Sequence, residues 1–260
     1  MNVSTPFAST QGAGSCSLLS RNTSLLLTIT VTVAALLGPR VIAAEPSKPA
    51  GPSAPAAAVD PEPSWKSLFD GRTLAGWKIA SFGGHGEVEV KDGQILLPMG
   101  AMLTGVVCTS EVPKLRYEIS LEAMKLDGSD FFCGLTFPVS NAFCTLIVGG
   151  WGGGVVGLSS IDGYDASENE TTKYLQFEKN RWYAIRVRVT PERIEAWLDN
   201  ERIINQSIVG RRISLRPGEI ESSVPLGIAT YQTSAALRNL KLRSLAVETP
   251  KATAVPPRTP

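Results

Sequence analysis

The stretch LRYEISLEAMKL, residues 115–126, alternates apolar and polar side chains along almost its whole length. Because successive side chains of a β-strand point to opposite faces of its sheet, this period of two predicts a half-buried strand. The face predicted to be buried carries Leu115, Tyr117, Ile119, Leu121 and Ala123. The opposite face carries Arg116, Glu118, Ser120, Glu122 and Met124.

The same alternation recurs on both sides of this stretch. RWYAIRVRVT breaks at Pro191 and returns as RIEAWLDN, which predicts a hairpin. It sets one row of apolar side chains against another: Tyr183, Ile185, Val187 and Val189 against Ile194, Ala196 and Leu198. LGIATY and AALRNLKLRSL are predicted to form a closing pair of strands. No segment keeps a helical period for three turns, and about twelve short strands predict an all-β fold, a two-sheet antiparallel sandwich over residues 65–245.

The two ends of the chain differ from this middle in composition. Arg21, an apolar run over residues 25–37 and a small-residue site near Ala44 are typical of a secretory signal peptide. We therefore interpret residues 1–44 as a signal peptide or, alternatively, an uncleaved N-terminal anchor, which would be the only contact with a membrane. Residues 45–64 are interpreted as a Pro/Ala-rich linker and residues 246–260 as a disordered tail. The expected location is secreted, periplasmic or at the cell surface.

Composition excludes one large class of partner and leaves the cysteines open. The net charge is only +1 and no run of basic residues is present, which argues against nucleic-acid binding. Export would remove Cys16 and leave Cys108, Cys133 and Cys144. Cys133 and Cys144 fall on neighbouring predicted strands, so they either form a disulfide or are small buried hydrophobic residues.

A glycine-rich stretch, GGWGGGVVGLSSIDGYDASENETT, occupies residues 149–172. A phosphate-binding glycine loop requires a helix after it, whereas a short strand and a polar loop follow here. The glycines are therefore predicted to permit a bulge or a close backbone approach inside a sheet. Asp162 before Gly163 is a suitable pair for a type I′ turn.

Several motifs together resemble one known family. They are SWKSLFDGRTLAGWKI at residues 64–79, EVEVKDGQIL at 87–96, the strands LRYEISLEAMKL and RWYAIRVRV, and the closing LGIATYQTSAALRNLKLRSL. These resemble the exported bacterial domains called 3-keto-disaccharide hydrolase, or 3-keto-glucoside lyase/hydratase, domains. The resemblance implies a concanavalin A-like jelly roll. The middle departs from the family pattern, because Phe132, Cys144 and Leu146 stand where members carry polar side chains aimed into the concave face.

The resemblance also implies a reaction. A ketone at C3 of a sugar acidifies the hydrogen at C2, so one base and one acid would suffice to release the glycosidic oxygen. Glu118 and Glu122 are candidates, but they lie about 13 Å apart along a strand, so one of them would act with Asp130. The alternative is a solvated strand face, on which these carboxylates pair with arginines such as Arg186 and Arg188.

No cofactor is required by the sequence, although calcium is one alternative. His85 is the single histidine, which excludes a multi-histidine zinc site. Asp162 and Asp165, with Asn169 and Glu170, supply oxygen ligands suitable for calcium, and a solvated turn is the alternative. His85 lies between glycines in a loop and is a candidate contact to substrate, and an exposed histidine without a function is the alternative.

Trp151 offers a flat apolar face beside the glycines on which a sugar ring could stack. Asp162 and Asn169 would supply hydrogen bonds around it, so residues 149–172 are expected to form one edge of a ligand cleft. Trp77 and Trp182 are instead predicted to lie in the core. Two functions follow: an enzyme that cleaves (3-keto-)glycosides, or a non-catalytic lectin-like module. A cell-surface interaction domain is a third reading. The expected partner is a carbohydrate or keto-sugar.

Overall fold

The protein is described here by a computed structural model that covers residues 64–246. The predicted signal or anchor segment lies outside these residues, and so do nearly all of the predicted linker and tail. Within residues 64–246, no helix is long and apolar enough to span a membrane.

The first sheet has eight strands, all paired antiparallel. Their spatial order is β13 (Glu201–Ser207), β12 (Arg193–Leu198), β11 (Trp182–Val189), β6 (Tyr117–Gly128), β15 (Thr233–Ser244), β4 (Gln94–Leu97) and β3 (Glu89–Lys91), and β1 (Lys66–Ser67) also pairs with β15.

The second sheet has seven antiparallel strands. Their order is β10 (Lys173–Tyr174), β9 (Val155–Ser159), β8 (Ala142–Gly150), β7 (Cys133–Val139), β14 (Gly227–Tyr231), β5 (Leu103–Cys108) and β2 (Trp77–Ile79). A 3-10 helix at Glu219–Ser223 is the single helical element of the described residues. The two sheets enclose one main hydrophobic core, which confirms the predicted two-sheet jelly-roll sandwich.

Strand β6 explains why residues 115–126 decide the fold. It lies between β11 and β15, so its backbone is bonded on both sides for most of its length. Tyr117, Ile119, Leu121 and Ala123 are buried in the core, as the alternation predicted. The strand therefore fixes which face of the first sheet meets the second sheet.

The predicted hairpin at Pro191 is confirmed, whereas the predicted closing pair is wrong. Val187 lies opposite Ala196 and Val189 lies opposite Ile194, as the alternation required. Strand β14, however, belongs to the second sheet and β15 to the first. The chain crosses between the layers at Gln232, whose φ of 44° turns the backbone there. Sequence alternation cannot distinguish such a crossing from a hairpin, because both join two strands by a short turn.

The cysteines are small buried residues. Cys108, Cys133 and Cys144 are all free thiols in the core. Cys133 and Cys144 lie on the neighbouring strands β7 and β8, but Cys144 lies opposite Phe137 and Cys133 opposite Val148. This four-residue offset along the strands, about 13 Å, is too long for a disulfide. Burial raises the pKa of both thiols to about 12.

One of the two tryptophans predicted in the core lies elsewhere. Trp77 is buried in the core, as predicted. Trp182 lies on the outer face of the first sheet, where the guanidinium of Arg238 stacks 4.0 Å from its ring centroid. The reason is register: Tyr183, not Trp182, occupies the inward position at the start of β11.

Candidate functional site

A groove of about 590 Å³ lies on the outer face of the second sheet. We call it the outer groove. Its size falls in the range typical of small-molecule sites. Strands β8, β9, β14 and β5 supply its floor, and three irregular segments supply its walls. The lining residues are Met102, Leu103, Asp130, Phe131, Thr145, Ile147, Trp151, Ser159, Asp165, Arg216, Pro217, Gly218, Glu219, Ile220 and Tyr231.

Strand alternation decides which side chains reach the floor. In β8, Cys144 and Leu146 point into the core, so Thr145 and Ile147 between them point into the groove. The Thr145 hydroxyl lies 2.8 Å from the Thr136 hydroxyl of β7, so these two groups satisfy one another.

The strand register shows which face holds the three positions that depart from the family pattern. Phe132, Cys144 and Leu146 are completely buried between the sheets and cannot face a ligand. The positions that face the groove are their neighbours, among them Phe131, Thr145 and Ile147. The three departing positions therefore face the core, and the outward positions beside them are also poor in charged groups.

Two outward-facing glycines let the walls rest directly on the sheet. A Cβ atom on Gly157 would lie only 2.5 Å from the carbonyl oxygen of Ala166, so any side chain would push away the polar loop after β9. A Cβ atom on Gly134 would lie 2.9 Å from the ring of Phe131. These close approaches place Asp165 and Phe131 at the groove.

The glycine-rich stretch forms the turn between β8 and β9. The predicted bulge is confirmed, because the register of the two strands shifts between Val148 and Gly150. Trp151 occupies the turn with a φ of 48°, and its side chain is 42% exposed at the groove. The turn is held by Asp130, whose Oδ2 accepts a hydrogen bond from the Gly152 N–H at 3.0 Å.

The Asp130 carboxylate is surrounded by backbone N–H donors and by the ammonium group of Lys125. Its Oδ1 accepts a hydrogen bond from the Phe131 N–H at 2.8 Å. Lys125, only 6% exposed at the end of β6, interacts electrostatically with Asp130. Burial lowers the pKa of the Lys125 ammonium, and the negative charge of Asp130 opposes that effect.

Asp165 and Arg216 form the polar end of the outer groove. Asp165 Oδ1 accepts hydrogen bonds from the Ser159 hydroxyl and from the Ala166 N–H. Its Oδ2 accepts one from Arg216 Nη1 at 2.7 Å. The Arg216 guanidinium also lies 5.8 Å from the centroid of the Trp151 ring. A carboxylate, a guanidinium and an indole therefore meet at one end of the groove.

Two of the predicted ligand contacts do not line the groove. Asp162 pairs with Arg211 and accepts the Arg212 N–H at 2.7 Å, and these donors lower the pKa of its carboxyl. Asn169 donates to the carbonyl oxygens of Leu158 and Asp165, and so ties the loop together. The type I′ turn is confirmed at Asp162 and Gly163, with φ values of 53° and 90°.

The candidate carboxylates Glu118 and Glu122 lie on the opposite side of the sandwich. Both project from the outer face of the first sheet, where Arg186, Arg188 and Arg243 bind Glu118 and where Arg238 binds Glu122. From Glu122 to the end of β6 the strand already spans roughly 20 Å. The structure therefore does not bring either glutamate together with Asp130, which lines the outer groove.

The remaining predicted site residues are His85 and the candidate calcium ligands Asp165 and Glu170. His85 is exposed, and its Nδ1 lies 2.8 Å from the Gly86 carbonyl oxygen, but it does not line the groove. Asp165 and Glu170 pair with different arginines. Across residues 64–246, no group of three or more His, Cys, Asp and Glu side chains is arranged to hold a metal ion. Calcium binding stays a prediction.

Sequence reasoning missed most of the lining side chains. Arg216 and Ile220 lie in a segment without hydrophobic periodicity, so the sequence does not indicate that they line a site. Thr145, Ile147 and Tyr231 lie in predicted strands, and strict alternation from the buried cysteine at position 144 identifies the first two as outward-facing. That signal was present in the sequence.

Comparison with solved structures gives matches of low identity. A β-glucanase of Bacillus licheniformis is similar, with a TM-score of 0.49 and 10% identity over 71% of this chain and 98% of that one. A Bacillus subtilis protein with a galectin-like fold gives 0.49 and 9% over 70% and 98%. The carbohydrate-binding module CBM66 of Bacillus subtilis gives 0.44 and 13% over 65% and 96%.

Comparison with curated proteins found no match. A family model, described as the 3-keto-alpha-glucoside-1,2-lyase-like domain, matches residues 64–243. This range contains every strand of both sheets except the last residue of β15. The chain therefore belongs to the 3-keto-alpha-glucoside-1,2-lyase-like domain family.

Proposed function

We propose that this chain is a carbohydrate-active domain that binds a glycoside in the outer groove and cleaves 3-keto-glycosides there. One observation carries the proposal: Trp151, Asp130, Asp165 and Arg216 line the same concave surface. An indole supplies a flat face for a sugar ring, and charged groups at its edge supply hydrogen bonds to the hydroxyls. The family to which the chain belongs supports a 3-keto-glycoside as the reactive ligand.

The proposed cleavage requires a base that removes the C2 proton and a hydrogen-bond donor to the ketone oxygen. Removal of the C2 hydrogen next to a C3 ketone develops negative charge on the ketone oxygen, and the glycosidic bond at C1 then breaks. Arg216 has a 60% exposed side chain and keeps guanidinium N–H groups free to donate to that oxygen. Asp165 positions Arg216 through the 2.7 Å contact. Asp130 is the carboxylate proposed to accept the proton, and the departing oxygen takes a proton from water, which leaves an alcohol and a 3-keto sugar with a double bond between C1 and C2.

A specific observation also favours a second function, a binding module without turnover. Both aspartates already accept hydrogen bonds from protein donors. Thr145 and Ile147 on the floor have no group that acts as a general acid or base at neutral pH. The lining residues include no histidine, cysteine or lysine, and the other groups that could protonate a departing oxygen, Glu219 and Tyr231, contact the Gly83 N–H and the Met102 sulfur. In this reading the groove recognises the sugar and releases it unchanged.

Incubation with 3-keto-trehalose and 3-keto-glucosides, followed by product release, tests the proposal. We expect turnover by the parent protein and a loss of about 100-fold or more in Asp130→Asn, with binding retained. Asp162→Asn is the control, because it makes the same substitution at a carboxylate that lies outside the groove. Binding without turnover would establish the second function, and equal turnover by Asp130→Asn would exclude the role given to that carboxylate.

We also propose that the domain works outside the cytoplasm. The sequence of residues 21–44 supports this, because it has the order of charge, apolar run and small residues of a signal peptide. Mass spectrometry of the native protein is expected to find no peptide from residues 1–44. Recovery of intact Met1 from a membrane fraction would support the anchor instead.

A further inference from the structure

The outer groove has two chemically different halves. Strand order sets them apart, because β9 and β8 floor one half while β14 and β5 floor the other, with β7 between them. At a spacing of about 4.8 Å between strands, β9 and β5 lie roughly 19 Å apart. The first half contains the polar end with Asp165 and Arg216. We call the second half the apolar half, and it is defined by Met102, Leu103, Phe131, Ile220 and Tyr231.

The side chains of the apolar half are held in place by packing and are not isolated exposed residues. Phe131 and Tyr231 stack with ring centroids 5.9 Å apart and an angle of 25° between their planes. Beneath them lies a small separate hydrophobic cluster, against which Ile220 of the 3-10 helix also packs. The cluster consists of Ala80, Phe82, Leu103, Val107 and Ala229. The aromatic pair is therefore held from below and leaves its other side to the groove.

Met102 completes the rim of this half. It is 44% exposed, and its sulfur lies 3.7 Å from the Tyr231 hydroxyl. An exposed methionine beside aromatic rings is typical of surfaces that adapt to apolar ligands, because its side chain is flexible and polarisable. Concave apolar surface that remains open to water in a monomer commonly marks a ligand site.

A second sugar ring is expected to bind weakly in the apolar half. Its hydroxyls would lose water, while the half offers few partners, chiefly the Tyr231 hydroxyl and the Glu219 carboxylate at its edge. Glu219 Oε1 is already within 3.3 Å of the Gly83 N–H. Buried polar groups left without partners are strongly unfavourable, whereas an aryl group gains from leaving water.

We propose that the apolar half binds the non-sugar part of the ligand, so that the domain selects glycosides of aromatic or other apolar alcohols over disaccharides. This rests on the proposed function, because it takes the sugar ring to lie at Trp151 and Arg216. The groove volume of about 590 Å³ accommodates a sugar joined to a fused aromatic ring. The apolar half continues directly from the polar end, so one ligand spans both.

Calorimetric titration with 2-naphthyl α- and β-glucosides, with trehalose and with the 3-keto form of each tests the inference. We expect the better naphthyl glucoside to bind at least tenfold more tightly than trehalose in the same oxidation state. In Met102→Gln, which keeps the length of the side chain at an exposed position, the naphthyl affinity is expected to fall about fivefold while trehalose affinity stays the same. Lys78→Gln, on the strand at the far edge of the sheet and outside the groove, is the control.

The outcomes separate the two proposals. If trehalose binds as tightly as the naphthyl glucosides, or if Met102→Gln weakens both alike, the apolar half does not select the ligand and this inference fails while the proposed function stands. If none of the glycosides binds, the proposed function and the inference fail together. Binding of free 2-naphthol without any binding of the glucosides has the same meaning, because the groove then does not accept a sugar.

Discussion

Replacing Glu118 with Gln should destabilise the domain without affecting the outer groove. The Glu118 side chain is completely buried, and three guanidinium groups donate to it: Arg186 at 2.9 Å, Arg188 at 2.6 Å and Arg243 at 2.7 Å. Removing one partner of a buried ion pair typically costs about 3–5 kcal/mol, because the remaining charge is left unpaired. The arginine side chains are 17–34% exposed and can regain water, so the expected loss is about 3 kcal/mol, the lower end of that range.

The assay is urea unfolding, with Glu122→Gln as the matched control on the same strand face. Glu122 is 28% exposed and pairs with a 38% exposed Arg238, so its replacement should cost no more than about 1 kcal/mol. For a domain of this size, about 3 kcal/mol corresponds to a fall in Tm of roughly 6–12 °C. Glu118→Gln should still bind groove ligands normally below its Tm. Equal stability of the two variants would refute the reasoning, and lost turnover in folded Glu118→Gln would restore Glu118 as a catalytic candidate.

The pH dependence of that deficit is a second, independent check. Burial disfavours the charged form of Glu118, but the donors of Arg188 and Arg243 outweigh it and lower the pKa of the carboxyl. A lowered folded-state pKa stabilises the protein above the unfolded-state pKa, and this stabilisation is lost as the pH falls through the folded-state value. The deficit of Glu118→Gln should therefore be constant from pH 7 to 5 and shrink below about pH 4.3. A deficit that grows on acidification would contradict this assignment of the charge.

Three further results are expected. Trp151→Ala should weaken glycoside binding about tenfold in calorimetry while changing the free energy of unfolding by less than about 0.5 kcal/mol, because the side chain is exposed at the groove; unchanged affinity would remove Trp151 from the site. Gly157→Val should lower the free energy of unfolding by about 1–3 kcal/mol in urea, since its side chain would strike the Ala166 carbonyl; full stability would mean that the loop moves freely. Iodoacetamide at pH 8 should leave Cys133 and Cys144 unmodified in native protein, because burial raises their thiol pKa to about 12, and rapid labelling detected by peptide mapping would contradict their burial.

The fold could be predicted because the physical signal is repeated in every strand. In β6 and in the hairpin at Pro191, alternation gave both the element and its buried face. The crossing at Gln232 could not be predicted in the same way, since a turn that stays in one sheet and a turn that changes sheets use similar residues. Trp182 was misplaced because it was assigned to the core by its place in a family-like motif, although alternation from the inward Tyr183 already puts it on the outer face.

The candidate site was harder to predict because it depends on which outer face the loops cover. Trp151 was identified by its position beside glycines and Asp130 as a catalytic carboxylate, whereas Asp165 was identified only as a calcium ligand. Arg216 lies in a segment without periodicity. Asp162 and Asn169 were equally polar but serve the loop itself, through Arg211 and through backbone carbonyls. Polar composition marks such a loop, but only contacts show which of its side chains remain available to a ligand.

The difference between the two outer faces follows from side-chain size. The outer face of the first sheet carries long charged residues in cross-strand rows, such as Arg188, Glu118 and Arg243, which neutralise one another and keep other segments away. The outer face of the second sheet carries glycines at positions 105, 134, 157 and 227, and each has another segment of the chain against its α-carbon. A sheet face whose outward positions lack side chains can be approached by loops, and loops standing on a sheet create walls and hence a groove. Because alternation assigns the outward positions of each strand, glycines at those positions indicate from the sequence which face of such a sandwich holds the site.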